Sequence, residues 1–217
     1  MINAVIFDMD GLLVDSEPAW NRARVELLAL HGKTWTEADQ LAQAGVHTDV
    51  WVSALYEKLG GQLGREQVFD EIVGRMAGYY EGGEVPILPG ADEALSACAG
   101  RYRVGLASGS PARLIEACLH GAGWGGYFEG LISSDEVDHG KPAPDVYVEL
   151  MRRMDLDPAA TAVIEDSGAG IRSGKAAGAR VIVVPNPSTD PGPDVLSLAD
   201  TRIVSLAQLM TALDRLG

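Results

Sequence analysis

Two carboxylates, Asp8 and Asp10, stand one residue apart directly after a short apolar run. The run Ala4–Phe7 is β-branched and aromatic, and Gly11 follows soon after it, which is typical of a buried strand of a parallel sheet. Like charges this close repel each other, and such a pair is tolerated where a cation or protons neutralise it. In open α/β sheets, ligands bind outside the carboxyl ends of the strands. The pair therefore indicates chemistry here, with a solvated Asp-Gly turn as the alternative.

Polar side chains also follow three later runs that are apolar and rich in β-branched residues. Ser108 follows RVGLA, and Lys141 lies in the loop beyond GLISS. Glu165 and Asp166 follow TAVI. If these strands are parallel, their carboxyl ends face one crevice. Carboxylates there could hold a hard divalent cation, while a hydroxyl group, a lysine and free backbone amides could hold a phosphate.

The order of the predicted elements indicates an α/β core with an insertion. From about residue 103 onward, apolar runs alternate with helical patterns, as expected for βαβ units and a parallel sheet. Residues 15–85 differ, because four helical patterns punctuated by glycine occur there without a convincing strand. A cluster of glycine and proline residues between 82 and 90 marks the return to the core. We therefore predict a core domain over residues 1–14 and 86–217, and an all-helical cap domain over residues 15–85.

Composition limits the classes of partner. The chain has 217 residues, of which 47% are hydrophobic and 22% charged, as in a protein that buries a core. Its formal net charge of −14 repels nucleic acid and anionic membrane surfaces. No apolar run approaches the roughly 20 residues of a membrane span, and no positively charged leader precedes the first strand. We expect a cytoplasmic monomer whose partner is a small phosphorylated molecule, received by local cations.

Four motifs, taken in order, resemble those of the haloacid dehalogenase-like (HAD) hydrolase superfamily. They are DMDG at 8–11, ASGS at 107–110, GKPAPD at 140–145 and VIEDSGAG at 163–170. Each motif alone is a weak signal, but their order and separations make the resemblance specific, and it covers essentially the whole chain. The resemblance implies a Rossmann-like parallel-sheet core with a helical cap that closes over the site.

The resemblance also implies roles for the acidic residues. Asp8 would be the nucleophile that forms an aspartyl phosphate, and Asp10 would be the general acid and then the general base. Mg²⁺ would be bound by the Asp8 side chain, the Asp10 backbone carbonyl and Asp166, with Glu165 in a supporting place. Dehalogenases of the superfamily lack a carboxylate at the position of Asp10, so phosphoryl chemistry is favoured.

By the same resemblance, Ser108, Gly109 and Lys141 would bind the phosphoryl oxygens. Each of the later motifs also has an ordinary structural explanation. Ser108 would suit a helix N-cap, and Lys141 would suit a solvated turn. The acidic pair Glu165–Asp166 would suit a helix start, where the helix dipole favours carboxylates. The ordered set of motifs favours the functional interpretation.

The segment DGLLVDSEPAW, residues 10–20, resembles the branch that contains β-phosphoglucomutase and sugar-phosphate phosphatases such as those for 2-deoxyglucose 6-phosphate. Asp15 would form the hinge, and Glu17 and Trp20 would contact substrate from the first cap helix. Mutases of this branch carry a histidine near the place of Trp20, which favours a phosphatase here. His47 stands where an arginine is common, and it would either contact substrate or flank the next helix.

The leading prediction is thus a Mg²⁺-dependent phosphatase that hydrolyses a small phosphomonoester, with a sugar phosphate as the expected class. A β-phosphoglucomutase-like phosphomutase is the second hypothesis, distinguished by transfer of phosphate to another hydroxyl group. The third is a receiver module that holds an aspartyl phosphate for signalling. Such a module needs neither a cap nor the acid–base residue Asp10, and both features count against it.

Overall fold

The computed structural model describes residues 1–43, 48–186 and 191–216. In these residues, parallel strands form a six-stranded sheet in the order β3-β2-β1-β4-β5-β6. The strands are β1 (Ala4–Phe7), β2 (Arg103–Ser108), β3 (Gly130–Ser133), β4 (Thr161–Glu165), β5 (Arg180–Val183) and β6 (Thr201–Arg202). The helices are α1 (Glu17–Leu30), α2 (Glu37–Gln43), α3 (Thr48–Leu59), α4 (Arg65–Glu81), α5 (Ala91–Ala99), α6 (Ala112–Ala122), α7 (Asp145–Arg153), α8 (Gly168–Ala176), α9 (Gly192–Leu196) and α10 (Leu209–Leu216).

The central strand β1 positions the first carboxylate. All of its residues are buried, as expected for a parallel strand that is covered on both faces. It pairs with β2 on one side and β4 on the other, and Phe7 is level with Leu106 and Ile164. The next residue, Asp8, donates its backbone N–H to the Ile164 carbonyl at 3.0 Å. Asp8 therefore lies at the carboxyl edge of the sheet, between the ends of β2 and β4.

Helices cover both faces of the sheet. On one face, Tyr147 and Leu150 of α7 and Ile171 of α8 pack with Ile6 and Val163. Helices α5, α6 and α10 contribute to a larger apolar cluster on the other face. This layering confirms the predicted α/β fold class with a parallel sheet. No described helix is long and apolar enough to cross a membrane.

Helices α1 to α4 separate β1 from the rest of the core. The two segments that connect these helices to the core lie side by side, and the Asp15 N–H donates to the Pro86 carbonyl at 2.9 Å. Helix α4 also packs closely against α6. Gly121 of α6 permits this approach, because a Cβ there would lie 2.2 Å from the Tyr80 carbonyl oxygen. We propose that these helices form the cap. The domain boundaries at residues 14/15 and 85/86 remain a prediction. The contact between the two connecting segments supports them.

Candidate active site

A buried lysine joins two carboxylates at the edge of the sheet. Lys141 Nζ lies 2.5 Å from Asp8 Oδ1 and 2.7 Å from Glu165 Oε1, and it donates to the Ala107 carbonyl at 3.1 Å. The Tyr147 hydroxyl group donates to the same Glu165 oxygen at 2.7 Å. The Lys141 side chain is only 9% exposed. The alternative of a solvated lysine is therefore wrong.

The carboxylates of Asp8, Glu165 and Asp166 approach within 4.8 Å of one another, and all three residues are buried. Three negative charges and the positive charge of Lys141 leave a net charge of −2 when all four groups are ionised. Burial, opposed by Lys141 and assisted by the other two carboxylates, holds the pKa of Asp8 well above its ordinary value. A divalent cation would neutralise this charge, and Mg²⁺ prefers oxygen ligands. The residues present therefore fit Mg²⁺.

The surroundings of Glu165 and Lys141, the other two members of the ion-pair network, favour their charged forms. Burial alone would raise the pKa of Glu165, but Lys141 and the Tyr147 hydroxyl group hold it below its ordinary value. Burial alone would lower the pKa of Lys141, yet Asp8 and Glu165 hold it well above its ordinary value. The raised pKa of Lys141 thus favours a positive charge beside Asp8.

The start of α8 is built around Glu165. Its Oε2 accepts the backbone N–H groups of Asp166 and Ser167, both at 3.1 Å, and the Ser167 hydroxyl at 3.0 Å. Ser167 Oγ in turn accepts the Gly170 N–H at 3.0 Å and caps the helix. The helix is therefore capped by Ser167 and not by the acidic pair, while Glu165 holds the residues that precede the helix and also pairs with Lys141.

Two glycines allow the carboxylates to lie where they do. Gly11 has a φ of +82°, and a Cβ on it would lie 2.4 Å from Asp166 Oδ2. A Cβ on Gly170 would lie 1.7 Å from Glu165 Oε1. A side chain at either position would displace a carboxylate of the cluster. The glycines of the first and last motifs therefore provide space for the acidic groups.

Four hydroxyl groups surround the Asp10 carboxylate. Oδ1 accepts from Ser16 at 2.6 Å and from Tyr80 at 3.2 Å. Oδ2 accepts from Ser108 at 3.0 Å and from Ser110 at 2.8 Å. Burial and the Asp10 charge raise the pKa of Tyr80 well above its ordinary value, so its phenol stays protonated as a donor. Because hydroxyl groups both donate and accept, this ring can hold Asp10 with or without a proton.

The ASGS loop connects β2 to α6 at the same edge. Ser108 is the last residue of β2, and α6 begins at Ala112, so the explanation of Ser108 as a helix N-cap is wrong. Its Oγ accepts the Ser110 N–H at 2.9 Å, and the Ser133 hydroxyl donates to the Ser110 carbonyl at 2.7 Å. Gly109 is exposed, and a Cβ there would meet nothing within 4 Å. The loop is thus fixed by buried serines and open at its glycine.

Three cap residues were predicted to contact the substrate, and the structure describes the surroundings of two of them. Glu17 is half-buried and accepts a hydrogen bond from Gln40 Nε2. Trp20 is 8% exposed, and its ring centroid lies 5.7 Å from that of Trp51. His47 lies outside the described residues. Substrate contact by Glu17, Trp20 and His47 stays a prediction.

Sequence reasoning missed four residues of this arrangement. Ser16, Tyr80 and Ser110 bind the Asp10 carboxylate, and Tyr147 binds Glu165. Ser110 stands inside the ASGS motif and could have been found there. Tyr80 and Tyr147 carry no such signal, because each is one of several apolar or aromatic residues on the buried side of its helix.

The sequence of this chain is similar to those of known hydrolases. The family model of haloacid dehalogenase-like hydrolases matches residues 2–178. The chain belongs to the haloacid dehalogenase-like hydrolases. Hexitol phosphatase B of Escherichia coli (strain K12) is 36% identical over the whole chain and 97% of the relative. These findings confirm the predicted family.

Solved structures extend the likeness to the fold of this hydrolase. CbbY from Rhodobacter sphaeroides in complex with phosphate has a TM-score of 0.88 and 26% identity, covering 99% of this chain and all of that one. A putative β-phosphoglucomutase from Thermotoga maritima has a TM-score of 0.79 and 27% identity, with 99% of each chain covered. The relatives thus fall in the branch of the family that the sequence predicted.

Proposed function

We propose that this hydrolase is a Mg²⁺-dependent phosphatase that hydrolyses a small phosphomonoester of a sugar or sugar alcohol through an aspartyl phosphate. The observation that carries the proposal is the buried pair of Asp8 and Lys141 inside a cluster of three carboxylates. A nucleophilic carboxylate can approach a dianionic phosphate ester only where cations offset the repulsion. The phosphatase name of its 36% identical relative agrees with this chemistry.

Asp8 and Asp10 would share the first half of the reaction. An Asp8 oxygen attacks phosphorus and forms the aspartyl phosphate, while the bond between phosphorus and the ester oxygen breaks. Asp10 acts as the general acid of this step and gives a proton to the departing oxygen, so that a neutral alcohol leaves. The four hydroxyl groups around Asp10 keep this carboxyl group beside the crevice.

Water completes the reaction in the second half. Asp10, now ionised, takes a proton from a water molecule that attacks the phosphorus of the aspartyl phosphate. The bond between phosphorus and the Asp8 oxygen breaks, which releases inorganic phosphate and restores both carboxyl groups. The hydroxyl ring suits this exchange because each hydroxyl can accept from the protonated form of Asp10 or donate to its ionised form.

The residues around Asp8 would hold both the cation and the phosphoryl group. The Asp8 side chain, the Asp10 backbone carbonyl and Asp166 would hold Mg²⁺, which supplies positive charge to the phosphoryl oxygens when bound. Glu165 supports the site through Lys141 and the start of α8.

Phosphoryl oxygens would be bound by Ser108, the Gly109 backbone and Lys141. Lys141 already lies at hydrogen-bonding distance from Asp8, so its charge would offset that of the transferred group. The predictions of a monomer and of a cytoplasmic location remain part of this proposal.

Phosphate release from a panel of hexitol, hexose and pentose phosphates, nucleotides and phosphoglycolate tests the proposal. Each ester is measured with Mg²⁺ and with EDTA. We expect release that depends on Mg²⁺ and vanishes in Asp8→Asn, but persists in Asp70→Asn, whose carboxylate is exposed on α4. Phosphate nuclear magnetic resonance on the same mixtures would detect isomerised esters. Isomers without release would favour the phosphomutase, and a stable phosphoprotein without turnover would favour the signalling module.

A further inference from the structure

A chain of hydrogen bonds between α1, α2 and the loop that joins them ends on Glu17. The indole N–H of Trp35 donates to Gln40 Oε1 at 2.9 Å, and Arg24 Nη1 donates to the same oxygen at 3.0 Å. Gln40 Nε2 then donates to Glu17 Oε1. Two donors fix the oxygen end of the Gln40 amide, so only its NH₂ group can face Glu17. These bonds, called the Gln40 relay below, therefore orient the Glu17 carboxylate.

Arg24 provides a buried positive charge behind the Gln40 relay. It is 3% exposed, and its guanidinium lies 5.3 Å from the Trp20 ring centroid and 5.8 Å from that of Trp35. In the described part of the chain, its buried Nε has no hydrogen-bond partner. Burial raises the pKa of Glu17, and Arg24 and Gln40 oppose that rise. Both residues therefore favour the ionised form of Glu17, which only accepts hydrogen bonds.

Glu17 directly follows a residue that binds the Asp10 carboxylate. It begins α1 directly after Ser16, whose hydroxyl group binds Asp10 at 2.6 Å. The charges of Asp10 and Asp15 act on the Glu17 carboxylate as well. Among the described residues, none donates a hydrogen bond to Glu17 Oε2, and the residue is half-buried rather than enclosed. This oxygen therefore keeps the capacity to accept a hydrogen bond from a ligand.

We propose that Gln40 and Arg24 are positioning residues that hold the Glu17 carboxylate for a hydroxyl group of the substrate. The cap side of the crevice then selects neutral polyhydroxyl phosphomonoesters, because a hydroxyl group donates a charge-assisted hydrogen bond to Glu17. An ester whose leaving group has no hydroxyl donor, such as p-nitrophenyl phosphate, gains nothing from this contact. The inference rests on the proposed function, since it concerns the substrate of the same site.

Binding to the Asp8→Asn protein tests the inference without turnover. Isothermal titration calorimetry with Mg²⁺ present would give the Kd of glucitol 6-phosphate and of p-nitrophenyl phosphate. We expect Gln40→Leu to raise the Kd of glucitol 6-phosphate by at least about tenfold, because Glu17 is then no longer held for its hydrogen bond to a substrate hydroxyl group. The Kd of p-nitrophenyl phosphate should change by less than about twofold, since it makes no such bond.

A double variant separates positioning from direct contact. If Gln40 acts through Glu17, the variant Glu17→Ala with Gln40→Leu should bind glucitol 6-phosphate no more weakly than Glu17→Ala alone, within about twofold. Arg24→Met should reproduce the selective loss, and Arg24→Lys should recover part of it. Arg22→Met is the matched control, because Arg22 is exposed on the same helix and pairs with Glu26 and Glu84.

Two results would overturn the inference. One is an equal loss of affinity for both esters in Gln40→Leu and Arg24→Met that Arg24→Lys does not reduce, which indicates a structural role only. The other is a further loss in the double variant, which indicates that Gln40 acts independently of Glu17. The proposed function fails in a different way, by the absence of phosphate release in the unaltered protein.

Discussion

Lys141→Met removes the one positive charge that the structure places between Asp8 and Glu165. The two distances of 2.5 and 2.7 Å and the 9% exposure of the lysine make this a buried network. The chain offers a matched control in Lys175, whose Nζ lies 2.7 Å from Asp200 but whose side chain is 33% exposed. Lys175→Met therefore breaks an ion pair of the same length in contact with water.

The two variants should differ strongly in stability. Breaking a buried pair costs about 3–5 kcal/mol, because the remaining charges lack both water and a counter-ion, whereas an exposed pair contributes about 0–1 kcal/mol. For chains of this size, about 1 kcal/mol shifts Tm by about 2–4 °C. Without metal, Lys141→Met should lower Tm by about 6–20 °C, and Lys175→Met by less than about 4 °C.

Thermal unfolding followed by circular dichroism at neutral pH, with EDTA and then with excess Mg²⁺, measures both losses. Mg²⁺ should reduce the loss in Lys141→Met, because it brings positive charge to the same carboxylates, and should leave the loss in Lys175→Met unchanged. Equal Tm changes for the two variants would refute the argument from burial. A loss in Lys141→Met that Mg²⁺ does not alter would refute the shared carboxylate cluster.

Three further perturbations concern the same cluster. Burial raises the pKa of Asp8 in the folded protein. The metal-free protein should therefore lose stability as the pH rises from the ordinary pKa of aspartate through the raised pKa of folded Asp8, and Asp8→Asn should lack that loss. Melting curves across pH with EDTA check this, and parallel pH profiles of the two proteins would contradict it. Gly170→Ala places a Cβ 1.7 Å from Glu165 Oε1 and should cost at least about 1–3 kcal/mol in urea unfolding; unchanged stability would show that Glu165 can move freely. Gly11→Ala places a Cβ 2.4 Å from Asp166 Oδ2, so the Mg²⁺ concentration for half-maximal phosphate release should rise by about tenfold or more; an unaltered Mg²⁺ requirement would exclude this role of Gly11.

Residues next to strand ends were predictable from the sequence because their positions depend on local patterns. A short apolar run ends where its strand ends, so the sequence predicts Asp8, Ser108 and Glu165 at one edge of the sheet. The four helices of the insertion followed from periodicity in the same way.

Contacts between distant residues were decided only by the tertiary structure. Lys141 meets Asp8 across 133 residues of chain, and Tyr80 meets Asp10 across 70. Gln40 reaches Glu17 from another helix. Helical periodicity assigns a residue to a face, but the rotation and packing of each helix decide which atoms on that face come within hydrogen-bonding distance. The chemistry of the site was therefore readable from types and spacing, while the bonds that hold Asp10 and Glu17 depend on how the helices pack.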